Sequence, residues 1–372
     1  MARYIFIGTC SMDRRAFLKT TGSAAAAATT ATAATAETVK QLTPSAAPAV
    51  AKGTRELRLA MPWPDSVAGF GDQARRLARR VEAMSEGRYR FAIMHGVGRG
   101  LSAVQQGEAD LYHGTEHDHL NAHRALAFFA GLPGERGIAP QHLLSWLLLG
   151  GGQTLWDDLA GDFGVKGMLA GHTGGQAHFL ATRRVDTMSA LAGEKVSIMG
   201  LARDVVHGFG LEPVTVGATD VASALSRGEI LAAEWGGAIA SHSLGLTAAA
   251  PYAVGTSVNR HGTALSLGIR RSLWDGLSAA DQAIFTAAAA AELQLALAEE
   301  ETHRMLLHPD APAHKTWPLA PDLERAIGRV SDAVVAHVAG SDAQAQRINA
   351  SYVTFRRLAL GDDAPAGGPA TV

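Results

Sequence analysis

The stretch KVSIMGLARDVVHGFGLEPVTVGATDVASALSRGEILAAEW, residues 195–235, switches repeatedly between short apolar runs and segments of helical period. Lys195–Ile198, Pro213–Val216 and Ile230–Trp235 read as strands, with helices over Leu201–Phe209 and Asp220–Arg227 between them. Strand and helix alternating at this interval predict an open, largely parallel sheet covered by helices. Ligands bind such sheets beyond the carboxyl ends of the strands, where the loops meet. The acid and indole of Glu234-Trp235 stand at such an end.

Upstream, Val165–Ala170 and His178–Thr182 continue the strand pattern. Two helices, Pro140–Leu149 and Gly152–Phe163, are separated by consecutive glycines that force a break. Further back, Glu56–Met61 alternates as a strand and is stopped by Pro62-Trp63-Pro64. A helix follows over Ala68–Met84, with Ala74, Leu77, Ala78, Val81 and Met84 on one face. Arg75, Arg76, Arg79 and Arg80 occupy the other face, which reads as solvated. Arg88–Met94 and Asp110–His113 are the next strands. Downstream, Thr263–Arg270 is a strand, and Ser278 with Asp281 caps a helix running to about Leu307. That helix would be roughly 40 Å long. Pro321–Leu360 gives two more helices.

The amino terminus carries Arg14-Arg15-Ala16-Phe17-Leu18-Lys19, a weakly apolar Ala/Thr run, and Ala34-Thr35-Ala36. Twin arginines, a short run too polar to span a bilayer, and a small-residue cleavage pattern predict a twin-arginine (Tat) signal over residues 1–36. Met12 lies just ahead of the arginine pair, a second candidate start. Residues 37–54, rich in Ala, Pro and Thr, read as a linker, and 361–372 as a disordered tail. Export places the expected site of action in the periplasm. Cys10 is the only cysteine and falls within the signal, so cleavage leaves no disulfide, thiolate ligand or thiol nucleophile. The chain has 33 Lys+Arg against 35 Asp+Glu, a formal charge of −2, with no basic stripe to suggest nucleic acid as a partner. No nucleophile–base–orienter set stands out, so an enzyme is not expected; Ser243 lacks the glycines of a strained elbow.

Several strings add specificity: Trp63-Pro64, AMSEGR (83–88), WLLLGGGQTLWDDL (146–159), GHTGGQ (171–176), Gly193-Glu194-Lys195 and AAEW (232–235). Together, from about Leu57 to Leu307, they resemble the periplasmic solute-binding proteins of tripartite ATP-independent (TRAP) transporters, in particular the branch that binds 2-oxo acids. The resemblance implies a two-lobed α/β clam-shell, the periplasmic-binding-protein fold, with the long helix spanning both lobes. Lobe I is expected from 55–172 and 236–275, and lobe II from 173–235 and 276–360. Such a protein catches a small organic acid between its lobes and passes it to TRAP membrane permease subunits; homodimers occur in this branch.

The resemblance further implies a cation, Na+ or Ca2+, bridging protein and ligand. It would be held by the side chains of Gln176 and Glu234 and the backbone carbonyl of Trp235, with Trp63 in the cleft wall. Amide, carboxylate and carbonyl oxygens are hard donors suited to such ions. Taken singly, Glu234 also reads as a strand-end acid paired with a base, and Gln176 as a loop amide satisfying backbone groups. This chain departs from the pattern at Lys195-Val196-Ser197-Ile198-Met199-Gly200, where the family's Lys-x-Arg-x-x-Gly places the arginine that clamps the ligand carboxylate. Ser197 donates one hydrogen bond and cannot reproduce a bidentate, charge-assisted contact. Arg203 is the nearby candidate replacement, and a solvent-facing helix residue is its other reading. Residues 236–243 lack the usual Pro, Tyr and Asn-Asp, Pro133-Gly134-Glu135 replaces Pro-Phe-Gly, and the Met94–Ala103 segment is shorter than in relatives.

His113, His117, His119 and His123 sit with Glu116 and Asp118 between them. At i, i+4 spacing on a helix each histidine pair could chelate a transition metal, although Gly114 and Thr115 weaken a helix there. Two alternatives to solute capture therefore stand: a periplasmic metal-binding protein using this cluster, and a divergent relative that keeps the scaffold and binds a protein partner. His172 and His178 flank Gln176 and read as hydrogen-bonding groups.

Overall fold

The computed structural model describes residues 53–175, 179–184, 188–254, 257–307, 315–317 and 319–361. The expected signal (1–36), nearly all of the linker, Gln176 and His178, and all of the expected tail except Gly361 lie outside the described residues. In chain order the first half comprises β1 (Arg55–Ala60), α1 (Phe70–Met84), β2 (Tyr89–Met94), β3 (Leu111–Gly114), α2 (Pro140–Leu149), α3 (Gly152–Gly161) and β4 (Val165–His172). Then come β5 (Phe179–Ala181), β6 (Lys195–Ser197), α4 (Ala202–His207), β7 (Glu212–Val214), β8 (Ala232–Ala233), α5 (Ala238–Ser243), β9 (Tyr252–Val254) and β10 (Ala264–Arg270). The chain continues through α6 (Ala279–Leu307), β11 (Lys315–Trp317), α7 (Pro321–Ala339) and α8 (Ala343–Leu360), with shorter helical turns in between.

The strands form two sheets, ordered β2-β1-β3-β10-β4 and β11-β9-β5-β8-β6-β7. In the first, β1 runs parallel to β2 and β3, while β10 is antiparallel to β3 and β4. In the second, β6 is parallel to β7 and β8, and β5 is antiparallel to β8 and β9. Each sheet is thus mixed rather than largely parallel. The antiparallel strands β4, β5, β9 and β10 are those by which the chain leaves one sheet for the other, a role invisible to local periodicity.

Alternation buries Leu57 and Leu59 of β1 against Ala74, Leu77 and Val81 of α1, as the pattern predicts. The arginine face of α1 is only partly solvated: Arg79 is exposed, but Arg76 and Arg80 are half-buried. Arg76 donates to Glu292 Oε1 at 2.6 Å and to Glu299 Oε2 at 2.8 Å, and Arg80 also pairs with Glu292, whose side chain is fully buried. These ion pairs dock α6 on α1, and Phe285, Ala288 and Ala289 of α6 join the same core. Farther along, Leu293 of α6 packs with Trp146, Trp156 and Tyr352, where the Phe129 ring stacks on both indoles at 5.6 and 5.1 Å.

Two segments fall elsewhere than expected. β9, within 236–275, pairs in the second sheet, and the bodies of α6 and α8, within 276–360, pack with the first. Alanine on most faces of α6 lets any side be buried, so composition alone does not assign it to a lobe. α6 runs along the first sheet, and the strand after it, β11, belongs to the second.

The crossings between sheets lie side by side. Thr173, after β4, donates its N–H to Thr263 O at 3.0 Å, and Thr263 N–H donates to Thr173 Oγ1 at 2.8 Å. A Cβ at Gly237 would lie 1.7 Å from the Thr173 carbonyl oxygen, so no larger residue fits where the chain leaves β8. Glu300 of α6 reaches the same place, its Oε2 accepting the N–H of Ala238 at 2.8 Å.

Removing Glu292 leaves Arg76 and Arg80 half-sheltered without their shared partner. Glu292→Ala is expected to lower unfolding free energy in urea by about 3–5 kcal/mol. A loss under about 1 kcal/mol would show that the pairs do not hold α6 on α1.

Candidate ligand-binding cleft

The loops following β1, β2 and β3 face those following β6, β7 and β8 across a cleft of about 720 Å³. All six strands therefore point their carboxyl ends at one space, the location the alternation of residues 195–235 predicts.

Glu234 follows β8 and is 5% exposed. Its N–H donates to Ser197 O at 2.9 Å, which fixes the strand end. Its carboxylate accepts the backbone N–H of Val258 on Oε2 at 3.0 Å and of Asn259 on Oε1 at 2.9 Å. No described Lys or Arg pairs with it, contrary to its reading as half of an ion pair. Burial raises its pKa to about 7, partly offset by hydrogen bonds from Ser257, Asn259 and Val258. Each carboxylate oxygen thus holds one backbone donor.

Trp235 lines the cleft beside it, and its carbonyl accepts Ser241 Oγ–H at 2.9 Å. Its ring meets Phe70 edge-on at 5.7 Å, and Phe70 packs on Trp63 at 4.5 Å, so an aromatic wall joins the two sides. Trp63 is 6% exposed and lines the cleft as expected. Ser197, at the end of β6, also lines it and is buried. Arg203 reaches the cleft, but its guanidinium donates to Pro213 O at 2.9 Å, Ile198 O at 3.3 Å and Thr215 Oγ1 at 3.4 Å, all on its own side. Gln176 lies outside the described residues, just beyond Gly175 on the crossing from β4.

The histidines do not converge. His113 is buried in β3 with Nε2 3.3 Å from Ala170 O, while His123 caps a turn and pairs with Asp342 at 3.1 Å. Residues 116–119 form a 3₁₀ turn, not the α-helix that i, i+4 chelation needs. Among the described residues no cluster of three His, Cys, Asp or Glu side chains could hold a metal. His113, His117 and His119 are neutral near pH 7, because burial lowers each pKa to about 4. His117 instead lines the cleft against Gly200 of the opposite side, where a Cβ would lie 2.5 Å from its Nδ1.

Sequence reading missed Phe70, Arg124 and Asp204, all of which line the cleft. Arg124 pairs with Asp204 across it. No local spacing marks these residues, because the two sides meet only in the fold.

The chain matches the sequence signature of the bacterial extracellular solute-binding proteins, family 7, over residues 68–308. It is 28% identical over 312 residues to a monocarboxylate 2-oxoacid-binding periplasmic protein of Nostoc sp., covering 81% of this chain and 84% of that one. Among solved structures, a TRAP periplasmic solute-binding protein from Pseudoalteromonas atlantica with bound sodium and pyruvate superposes with a TM-score of 0.76 at 24% identity. That match covers 82% of this chain and 95% of the other. A TRAP solute-binding protein from Bordetella bronchiseptica, a mixed-occupancy dimer with calcium and picolinate, gives 0.77 at 21% identity, covering 82% and 93%. The two-lobed fold expected from the sequence strings is borne out.

Burial also raises the carboxyls of Glu116, Asp118 and Glu300 to about 7. For Glu300 the ordinary value is 4.5, so between 4.5 and 7 the folded state retains a proton that the unfolded chain has released. Stability contributed by this group therefore falls as pH rises through that window and is level above it. In urea titrations across pH 4.5–7.5, Glu300→Gln is expected to flatten the decline by about 1–3 kcal/mol. An unchanged slope would show that Glu300 does not titrate there.

Proposed function

Because the chain belongs to the bacterial extracellular solute-binding protein family 7, we propose that it is the exported solute-binding subunit of a TRAP-type transporter that captures a small 2-oxo acid in the cleft. The observation that carries this reading is the buried, unpaired carboxylate of Glu234 beside the Trp235 carbonyl at the end of β8. A bound Na+ or Ca2+ fits these donors: Glu234 supplies the negative charge that burial leaves uncompensated, and hard oxygen atoms are what such ions take. Gln176, on the crossing from β4, is assigned as the third protein donor. The cation would supply a positive centre for the ligand's carboxylate and keto oxygens. Trp63, Phe70 and Trp235 provide the apolar wall that excludes water around a short carbon chain.

Closure would proceed about the adjacent crossings at Thr173 and Thr263, against which Gly237 packs. The loaded protein then presents the acid to membrane permease subunits. The Arg14-Arg15 motif assigns export to the twin-arginine route and the periplasm as destination, and a homodimer is the assembly we assign by likeness to the Bordetella protein.

Thermal unfolding with pyruvate, alone and with calcium or sodium, tests the reading. A ligand at a hundredfold excess over its Kd stabilises by about 2.7 kcal/mol, so Tm is expected to rise by several degrees with acid and cation together. Glu234→Ala is expected to abolish the rise. No shift with any 2-oxo acid in either cation contradicts solute capture at this site.

A further inference from the structure

An acid ligand needs a cationic partner, and Ser197 at the end of β6 carries no charge. Among the described residues two arginines line the cleft. Arg203 is committed to two carbonyls and a hydroxyl on its own side. Arg124 comes from the opposite wall, in the turn that follows β3, and has a single acidic partner, Asp204. Its Nη2 donates to Asp204 Oδ2, while its Nε–H is shielded from water with no hydrogen-bond partner. Nε and Nη2 together form one edge of the guanidinium fork, the edge that grips a carboxylate with two parallel bonds. Asp204 uses only half of it.

Resting on the solute-binding reading, we propose that Arg124 is the residue that recognises the ligand's carboxylate, and that Asp204 is an internal carboxylate occupying its place until the acid arrives. The side chains of Arg124 and Asp204 are 41% and 45% exposed. An ion pair so open to water changes an equilibrium by about fivefold at most, so exchanging Asp204 for a ligand carboxylate costs little. The same guanidinium in contact with a bound acid, in a cleft emptied of water, gains far more from the exchange.

A simple latch between the lobes would use the same two residues, and substitutions separate the two roles. If Asp204 only stands in for the ligand, removing it frees the fork; if it holds the lobes together, removing either partner weakens binding alike. Calorimetric titration with pyruvate in calcium, on the full mature chain, makes the comparison, with pyruvamide as the uncharged probe. Arg124→Gln is expected to weaken pyruvate binding by at least about 30-fold and to erase the preference for pyruvate over pyruvamide. Arg124→Lys, which keeps charge and loses the fork, falls between. Asp204→Asn is expected to bind pyruvate about two- to fivefold more tightly. Equal weakening in Arg124→Gln and Asp204→Asn, or parental affinity in Arg124→Gln, overturns the proposal while leaving solute capture intact. A parent chain that binds neither pyruvate nor any other 2-oxo acid removes both. Circular dichroism melts of each variant separate lost binding from lost folding.

Discussion

The carboxylate of Glu234, withdrawn from water and held by two backbone N–H groups of Val258 and Asn259, is the constraint around which this molecule is arranged. Burying an ionised carboxyl costs several kcal/mol unless charge and hydrogen bonds compensate it. Two amide donors offset part of that cost, and burial still pushes the pKa up to about 7. A cation meeting those oxygens, the role proposed for Glu234, would remove the remainder. The same bonds tie the end of β8, in the second sheet, to the segment that returns the chain to β10 in the first. Ligand chemistry and the junction between lobes thus share one side chain.

Close backbone approach shapes that junction. Glycine at 237 lets the β8 exit pass against the Thr173 carbonyl, and the paired threonines 173 and 263 hold the two crossings in register. Glu300 ties the long helix to the same point through the first N–H groups of α5. By contrast, the first lobe is fastened broadly, through the Arg76, Arg80 and Glu292 pairs and the Trp146, Phe129 and Trp156 stack. Contact between the sheets extends beyond the crossings, because α7 places Ile327 and Val330 against the core of the second sheet and Val335 and Val338 in that of the first.

Much of this was legible in the sequence. Alternation located β1, β2, β3 and the β6–β8 run to within a residue or two, and Ser278 with Asp281 marks the start of α6, where Asp281 N–H donates to Ser278 Oγ at 3.1 Å. What stayed hidden has physical causes. β9 and β11 are defined by pairing with strands distant in the chain, β9 with β5 and β11 with β9. Arg76 and Arg80 of α1 read as solvated because their partners, Glu292 and Glu299, lie far along the chain. At the site, Glu234, Trp235, Trp63 and Ser197 all reach the cleft. Arg124 and Asp204 escaped notice because each looks like an ordinary surface charge until the two walls meet.

The most direct measurement is a crystal structure of the protein grown with calcium and pyruvate. The account predicts a calcium ion about 2.3–2.6 Å from a Glu234 carboxylate oxygen and from the Trp235 carbonyl, with the acid completing its shell. A cleft holding pyruvate away from Glu234, or a metal bound instead among His113–His123, would contradict it.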